Sequence, residues 1–560
     1  MNMSMTGGLF LAQALKAYGV DHVFFMDAIL RRSLIEMEHL GIRRILTHSE
    51  KAAAYMADGY ARAGYKPGVC MAQSVGAANL ASGLQDAFLG HSPVIALTGR
   101  QVAVNQYRNA YQELAHQPLF QSVTRFSGRV DEISQLPHLI RTAFREAMCG
   151  SPRPVHLDIA GHTGDLIGAQ HIDSAPSVDS IFSSFTPFRP RPAQEDLIFI
   201  QEALKLSERP VLVVDKGAME SRAQREIEAF VQAANVAVVA SLDAKAVLAE
   251  SNAWFAGVAG TYSRSCANEI LAQSDLVIFA GSDTGDQMTA GWTLPARGTQ
   301  VIQIDIDPFE LGRNFENAKL IHGDVRETLA ELMSMDIHTS RAKWLETIQK
   351  AIQNWRINAQ KHWSDESVPI KPAHLCHQLS NWLPKDAMVV ADTGYSSEWS
   401  GTMIEMKYPE QRYLRAAGSL GWAFPAALGA KCASPNTPVF CFTGDGGFMY
   451  HQSELETARR WGINTITIIN NNSQLAQGAP NINAVYKDRS ETGQKDIHVY
   501  RETNFADLAK VFDCEGIRVE HPLEIEAAIK RALKSDKPVV IDVVTDPSAR
   551  PMSGAPRRAT

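Results

Sequence analysis

Val439-Phe440-Cys441-Phe442-Thr443-Gly444-Asp445-Gly446-Gly447, and the stretch leading from it to Asn470-Asn471-Asn472, decide the fold of this 560-residue chain. Val439-Phe440-Cys441-Phe442 is a short apolar run and reads as a buried strand. Residues 452–460 have helical character, and Ile466-Thr467-Ile468-Ile469 reads as a second buried strand. A βαβ unit of this kind has parallel strands joined by a right-handed crossover. If the strands are neighbours, Asp445 and Asn472 sit just past two carboxyl ends about 5 Å apart. Open α/β sheets bind ligands there. A carboxylate and an amide oxygen are hard ligands suited to Mg²⁺, which takes its remaining ligands from phosphate and water. The glycines allow close backbone approach to a phosphate. A lone Gly-Asp-Gly reads as an ordinary turn, but Asn472 after a second buried strand makes the pair specific.

Helices and buried strands alternate on either side of this unit. A helix over 8–18 and a strand at Val23-Phe24-Phe25 are followed by strands at 69–72, 94–97 and 154–158. Such alternation argues for a parallel sheet covered on both faces. The first domain spans 1–172, and a Ser- and Pro-rich linker spans 173–192. A middle α/β domain over 193–336 contains strands at 210–214, 276–281 and 301–307. A polar helical connector over 337–366, expected to have few buried positions, leads to a third α/β domain over 367–548. A tail over 549–560 carries Arg550, Arg557 and Arg558.

The composition, 45% hydrophobic and 21% charged, is that of an ordinary soluble protein. A net charge of −7 gives no reason to expect nucleic acid or a membrane surface as partner. The seven cysteines are scattered singly with no CxxC, which argues against a disulfide framework and for the reducing cytoplasm. No basic region precedes an apolar one at the start, and no apolar run approaches the ~20 residues of a membrane span. Small molecules are the expected partners.

The segment Gly444-Asp445-Gly446 to Asn471-Asn472 resembles the diphosphate- and metal-binding signature of thiamine-diphosphate enzymes. Its surroundings are similar to the branch holding acetolactate synthase, benzaldehyde lyase and oxalyl-CoA decarboxylase, and the likeness covers almost the whole chain. It implies three parallel-sheet α/β domains, the first and third of thiamine-diphosphate-binding type and the middle one Rossmann-like. It implies Mg²⁺ held by the side chains of Asp445 and Asn472 and the carbonyl of Gln474, with Gly444, Gly446, Gly447 and Leu475 around the cofactor. Thr47-His48-Ser49-Glu50, with the Ala-rich helix after it, resembles the catalytic-glutamate segment. Cold, Glu50 is a helix N-terminal carboxylate with Ser49 as N-cap. By resemblance it hydrogen-bonds the aminopyrimidine nitrogen N1′ and takes part in proton transfer, with the cofactor as electron sink. The family usually has His directly before this Glu, whereas here Ser49 stands there and His48 precedes it.

Tyr111-Gln112-Glu113 resembles a Phe-Gln-Glu segment whose Gln points at the substrate. Gly418-Ser419-Leu420-Gly421 resembles the segment in which an apolar side chain (here Leu420) bends the cofactor and a carbonyl (here Gly418) holds its 4′-amine. Gly394 and Tyr395 lie in a strand-end turn that can offer donors to the diphosphate. Ile29 and Leu30, with Gln73, Val75 and Gln112, are expected to line an apolar substrate pocket. Asp305-Ile306-Asp307 and His322-Gly323-Asp324 resemble positions that hold FAD in acetolactate synthases and ADP or CoA in oxalyl-CoA decarboxylase, and that persist in relatives such as benzaldehyde lyase, so FAD, ADP or CoA, and no nucleotide at all, are the alternatives. Lys216 can meet a phosphate there. Gln287 stands where acetolactate synthase carries a substrate-contacting arginine.

These features imply a carboligase or lyase acting on a 2-keto acid or 2-hydroxy carbonyl compound through an acyl-anion equivalent at the cofactor's C2. The alternatives are a 2-hydroxyacyl-CoA lyase or oxalyl-CoA decarboxylase-like enzyme and, in another class, an inactive cofactor-binding regulatory subunit. The family's site lies between subunits, so a homodimer at least, and commonly a homotetramer, is implied.

Overall fold

Three six-stranded sheets, parallel throughout, follow one another along the chain of this computed structural model, which describes residues 4–486, 491–552 and 554. In the first domain the strands lie in the order Arg43–Leu46, His22–Phe25, Gly68–Ala72, Val94–Arg100, Val155–Ala160, Phe126–Val130. Numbered along the chain within the domain, that order is 2-1-3-4-6-5. The third domain repeats it with Arg412–Arg415, Met388–Ala391, Val439–Gly444, Ile466–Asn471, Val539–Val544 and Glu515–Val519. The middle domain differs. Its order is 3-2-1-4-5-6, that of a dinucleotide-binding sheet, and it reverses between Pro210–Val214 and Leu276–Ala280. Central strands such as Val94–Arg100 and Pro210–Val214 are buried along their whole length, because helices cover both faces.

The first helix runs Gly7–Ala17, with Thr6 as N-cap accepting the Leu9 N–H at 3.2 Å. The connector corrects the expectation of few buried positions. Its helix Ala342–Trp363 buries Trp344, Ile348, Ala351, Trp355, Ala359 and Trp363, a continuous stripe at helical spacing. Three of these six are tryptophans set among charged and amide residues, which masks the stripe in a reading by composition. Within 173–192, Phe182 and Phe185 are buried.

The first and third domains are locked together by two helices, Glu50–Gly64 and Ala423–Ala433. A Cβ on Gly59 would lie 2.0 Å from the Ala426 carbonyl oxygen, and one on Gly429 would lie 1.9 Å from that of Met56. Only glycine permits so close a crossing. Among the described residues, no helix is long and apolar enough to cross a membrane, and all seven cysteines are free. Arg557 and Arg558 lie outside the described residues.

Candidate active site

The strands Val439–Gly444 and Ile466–Asn471 are parallel neighbours, with Gly444 opposite Asn470. The chain therefore leaves the sheet at Asp445 and at Asn472 side by side. Asp445 opens a short helix and is 5% exposed, its carboxyl facing the backbone N–H groups of Gly446 and Gln474. Burial pushes its pKa up to about 7. Among the described residues, no lysine, arginine or histidine pairs with it. The Asn472 Oδ1 accepts the Gln474 N–H at 3.2 Å, so Asp445, Asn472 and Gln474 converge. The group that Gln474 turns toward Asp445 is its N–H, whereas the family resemblance implies its carbonyl as ligand. The turn is held from outside by Tyr500 N–H on the Ser473 carbonyl (2.7 Å) and Leu475 N–H on the His498 carbonyl (2.8 Å).

This donor set fits Mg²⁺. A buried carboxylate that no described lysine, arginine or histidine pairs with stands beside the amide oxygen of Asn472. Among the described residues, no group of three His, Cys, Asp or Glu could hold a metal, so a cation here would complete its shell from phosphate and water. A cavity of about 410 Å³ opens at the same place, lined by Asp445, Gly446, Tyr450, Tyr500 and Arg501. A Cβ on Gly446 would lie 2.8 Å from the Leu475 side chain, so glycine is needed for Leu475 to close over the turn.

Asp392 ties the remaining third-domain segments together. Its carboxylate accepts from Thr393 N–H (2.8 Å), Gly421 N–H (3.0 Å) and Thr443 Oγ1 (3.1 Å). Burial still pushes it up to about 6. It thereby fixes the turns that carry Gly394 and Tyr395, Gly418 and Leu420, and Gly444 to Gly447. Gly394 adopts φ +69° against the Gln477 amide. Gly418 is exposed and Leu420 half-buried.

In the first domain, Glu50 begins its helix with Ser49 as N-cap, Ser49 Oγ accepting the Ala52 N–H at 3.1 Å. Glu50 Oε2 accepts from Asn79 Nδ2 at 3.2 Å. A Cβ on Gly76 would lie 2.5 Å from Glu50 Oε1, so that glycine leaves room for the carboxylate. Ser74 Oγ donates to the Gln112 carbonyl at 2.6 Å, bringing the 73–76 and 111–113 segments together beside Glu50. Gln112 holds φ +56°, and its Oε1 is buried without a partner. Val75 is exposed and Gln73 half-buried beside them. Ile29 and Leu30 are placed differently from expectation: both pack into the first domain's core. The Leu30 N–H is tied to the Thr163 carbonyl, so that loop folds inward, away from the pocket expected of it.

Asp86 bridges the two halves. It accepts the N–H groups of Ala417, Gly418 and Ser419 at 3.0, 3.2 and 2.9 Å and pairs with Arg62, which also pairs with Asp58. Asp58 and Arg62 show their i,i+4 spacing in the sequence, but nothing there marks Asp86, Asp392 or Asn79. Even so, none of the cavities described is lined by both Glu50 and Asp445.

The middle-domain crevice lies at the strand-order reversal, as a cavity of about 200 Å³ bounded by Asp215, Lys216, Asp243, Asp283, Asp286 and Arg415. Lys216 pairs with Asp283 and Arg415 with Asp243, both at 3.0 Å. Its cations are already matched and further carboxylates remain, so the lining does not fit a nucleotide diphosphate.

The three parallel sheets, with the turn at Asp445 at the strand ends of the third, define a thiamine-diphosphate enzyme. Family profiles agree in order: the thiamine pyrophosphate enzyme N-terminal TPP binding domain matches 5–119, the central domain 199–332, and the C-terminal TPP binding domain 392–543. The chain belongs to this family. It is 31% identical to a probable acetolactate synthase large subunit of Methanocaldococcus jannaschii, covering 98% of this chain and 93% of the relative. It is 29% identical to the acetolactate synthase isozyme 2 large subunit of Escherichia coli, covering 97% and 96%.

Proposed function

We propose that this chain is a thiamine-diphosphate-dependent carboligase of the acetolactate-synthase type, joining an acyl unit from a 2-keto acid to a carbonyl acceptor. The observation that carries this reading is the convergence of Asp445, Asn472 and Gln474 at adjoining strand ends beside a 410 Å³ cavity. When bound, thiamine diphosphate supplies an electron sink for a carbanion. Asp445 and Asn472 hold Mg²⁺, while Gly446, Gly447 and the Gly394 turn leave backbone open to the diphosphate. Glu50 moves the proton. Its Oε2 is occupied by Asn79, which leaves Oε1, beside Gly76, as the exchanging atom. Gln112 presents its free Oε1 to a substrate hydroxyl, and Val75 and Leu420 exclude water.

In this reading the active unit is at least a homodimer, which the absence of both Glu50 and Asp445 from any one described cavity supports. Glu50 of one protomer faces the Asp445 site of a second, and a homotetramer is two such pairs. The acyl-CoA reading loses its main support, since Lys216 is committed to Asp283.

The test is turnover of a 2-keto acid panel with Mg²⁺ and thiamine diphosphate, following product by chromatography. Product formation that Glu50→Gln lowers ~10²–10⁴-fold supports the reading. Bound cofactor with no turnover by the wild type would leave an inactive regulatory subunit. The purified protein is expected to show no flavin absorbance; a stoichiometric flavin would overturn the account of the middle crevice, whose cations are already paired.

A further inference from the structure

Beneath the loop that carries Gln112, the first domain holds a second cavity of about 200 Å³, bounded among others by Arg100, His116, Arg129 and Asp158. None of these takes part in the site described above. His116 is 2% exposed, and its Nδ1 lies 2.9 Å from Asp158 Oδ1. A carboxylate only accepts, so Nδ1 carries a proton, and in the neutral tautomer of that form Nε2 is the ring's acceptor. That Nε2 is buried without a partner.

A relay fixes the geometry from behind. Ser127 Oγ meets His156 Nδ1 at 2.8 Å, His156 Nε2 meets Thr98 Oγ1 at 2.6 Å, and the Thr98 hydroxyl donates to Asp158 Oδ1 at 2.8 Å. Asp158 is thus committed to Thr98 and His116. Glu113, also on the wall, is spent on the N–H groups of Tyr107 and Ala110. Arg100 is 4% exposed, and its Nε finds no hydrogen-bond acceptor. Its Nη2 pairs with Asp131, a half-exposed carboxylate that also lies 3.6 Å from Arg129. Arg100 Nε also lies 3.6 Å from Asp158 Oδ2, so Asp131, the exposed counter-ion shared with Arg129, is the one an incoming carboxylate can replace.

We propose that this cavity binds a small 2-hydroxy carboxylate, its carboxylate on Arg100 and Arg129 and its hydroxyl donating to His116 Nε2. A 2-keto acid has no proton to offer that nitrogen, and an unsubstituted acid leaves it unpaired. The volume suits a ligand of roughly ten heavy atoms or fewer.

Calorimetric titration of the holoenzyme with lactate, pyruvate and propionate tests this, using the Glu50→Gln variant to stop turnover. Lactate is expected to bind about tenfold more tightly than the other two. His116→Phe removes that preference, while Arg129→Ala, at an exposed position, weakens all three. Equal binding of the three acids, no binding, or a lactate preference that survives His116→Phe overturns the proposal. A preference present in the wild type but lost in Glu50→Gln also overturns it, by placing lactate at the active site.

Discussion

The turn at Asp445 and the crevice at Asp283 both lie at the carboxyl ends of parallel strands, and both bury carboxylates. They differ in what faces the charge. Among the described residues Asp445 faces backbone N–H groups and no cation pairs with it, and burial pushes it up to about 7. In the middle domain Lys216 holds Asp283 down, as Arg415 does Asp243. A buried charge without a partner is a binding site that awaits its counter-ion. A buried charge with a partner is part of the scaffold.

Asp445→Asn should separate the two most sharply. Carboligase activity is expected to fall by more than ~100-fold because the carboxylate proposed to hold the metal is gone. The cofactor-free protein keeps or gains thermal stability at pH 8. The sign follows from linkage: a carboxyl whose folded pKa is raised contributes stability that is lost as pH rises through about 7, and asparagine carries no such loss. A fall in the cofactor-free Tm would break the comparison.

Mg²⁺ affinity, read by calorimetry, is the next largest effect. Below pH 7 the metal must displace a proton from Asp445, so the apparent Kd rises roughly tenfold per pH unit of acidification and levels off above pH 7. A flat profile from pH 5.5 to 8 would show that another group carries the metal.

Arg415→Met should act in the opposite sense to Asp445→Asn. It strands Asp243, lowers stability by about 2–3 kcal/mol and leaves Mg²⁺ affinity unchanged. Arg415 lowers the Asp243 pKa, so the lost stability is the part present above the unfolded carboxylate pKa, and wild type and variant converge in acid. Smallest is Asn79→Ala. It frees Glu50 Oε2 and should lower kcat about tenfold with Tm nearly constant.

The parts of the site legible in the sequence are those built from one βαβ unit. Asp445 and Asn472 follow apolar runs whose length and flanking glycines leave few alternatives to adjacent parallel strands. Glu50 was legible through the long helix after it. Ile29 and Leu30 were not, because whether a loop's apolar side chains turn in or out depends on contacts such as the Leu30 N–H to Thr163 bond, more than a hundred residues away. Asp86 was invisible for the same reason: its partners at 417–419 are brought to it only by the crossing of two helices.

Local periodicity and turn chemistry thus determined the three-layer domains and the cofactor turn, since these depend on neighbours in the chain. Tertiary structure alone decided which carboxylates have a cation, which glycines carry the helix crossing, and which segments Asp86 and Asp392 tie together. Those depend on distances between segments tens to hundreds of residues apart, which no window of sequence contains.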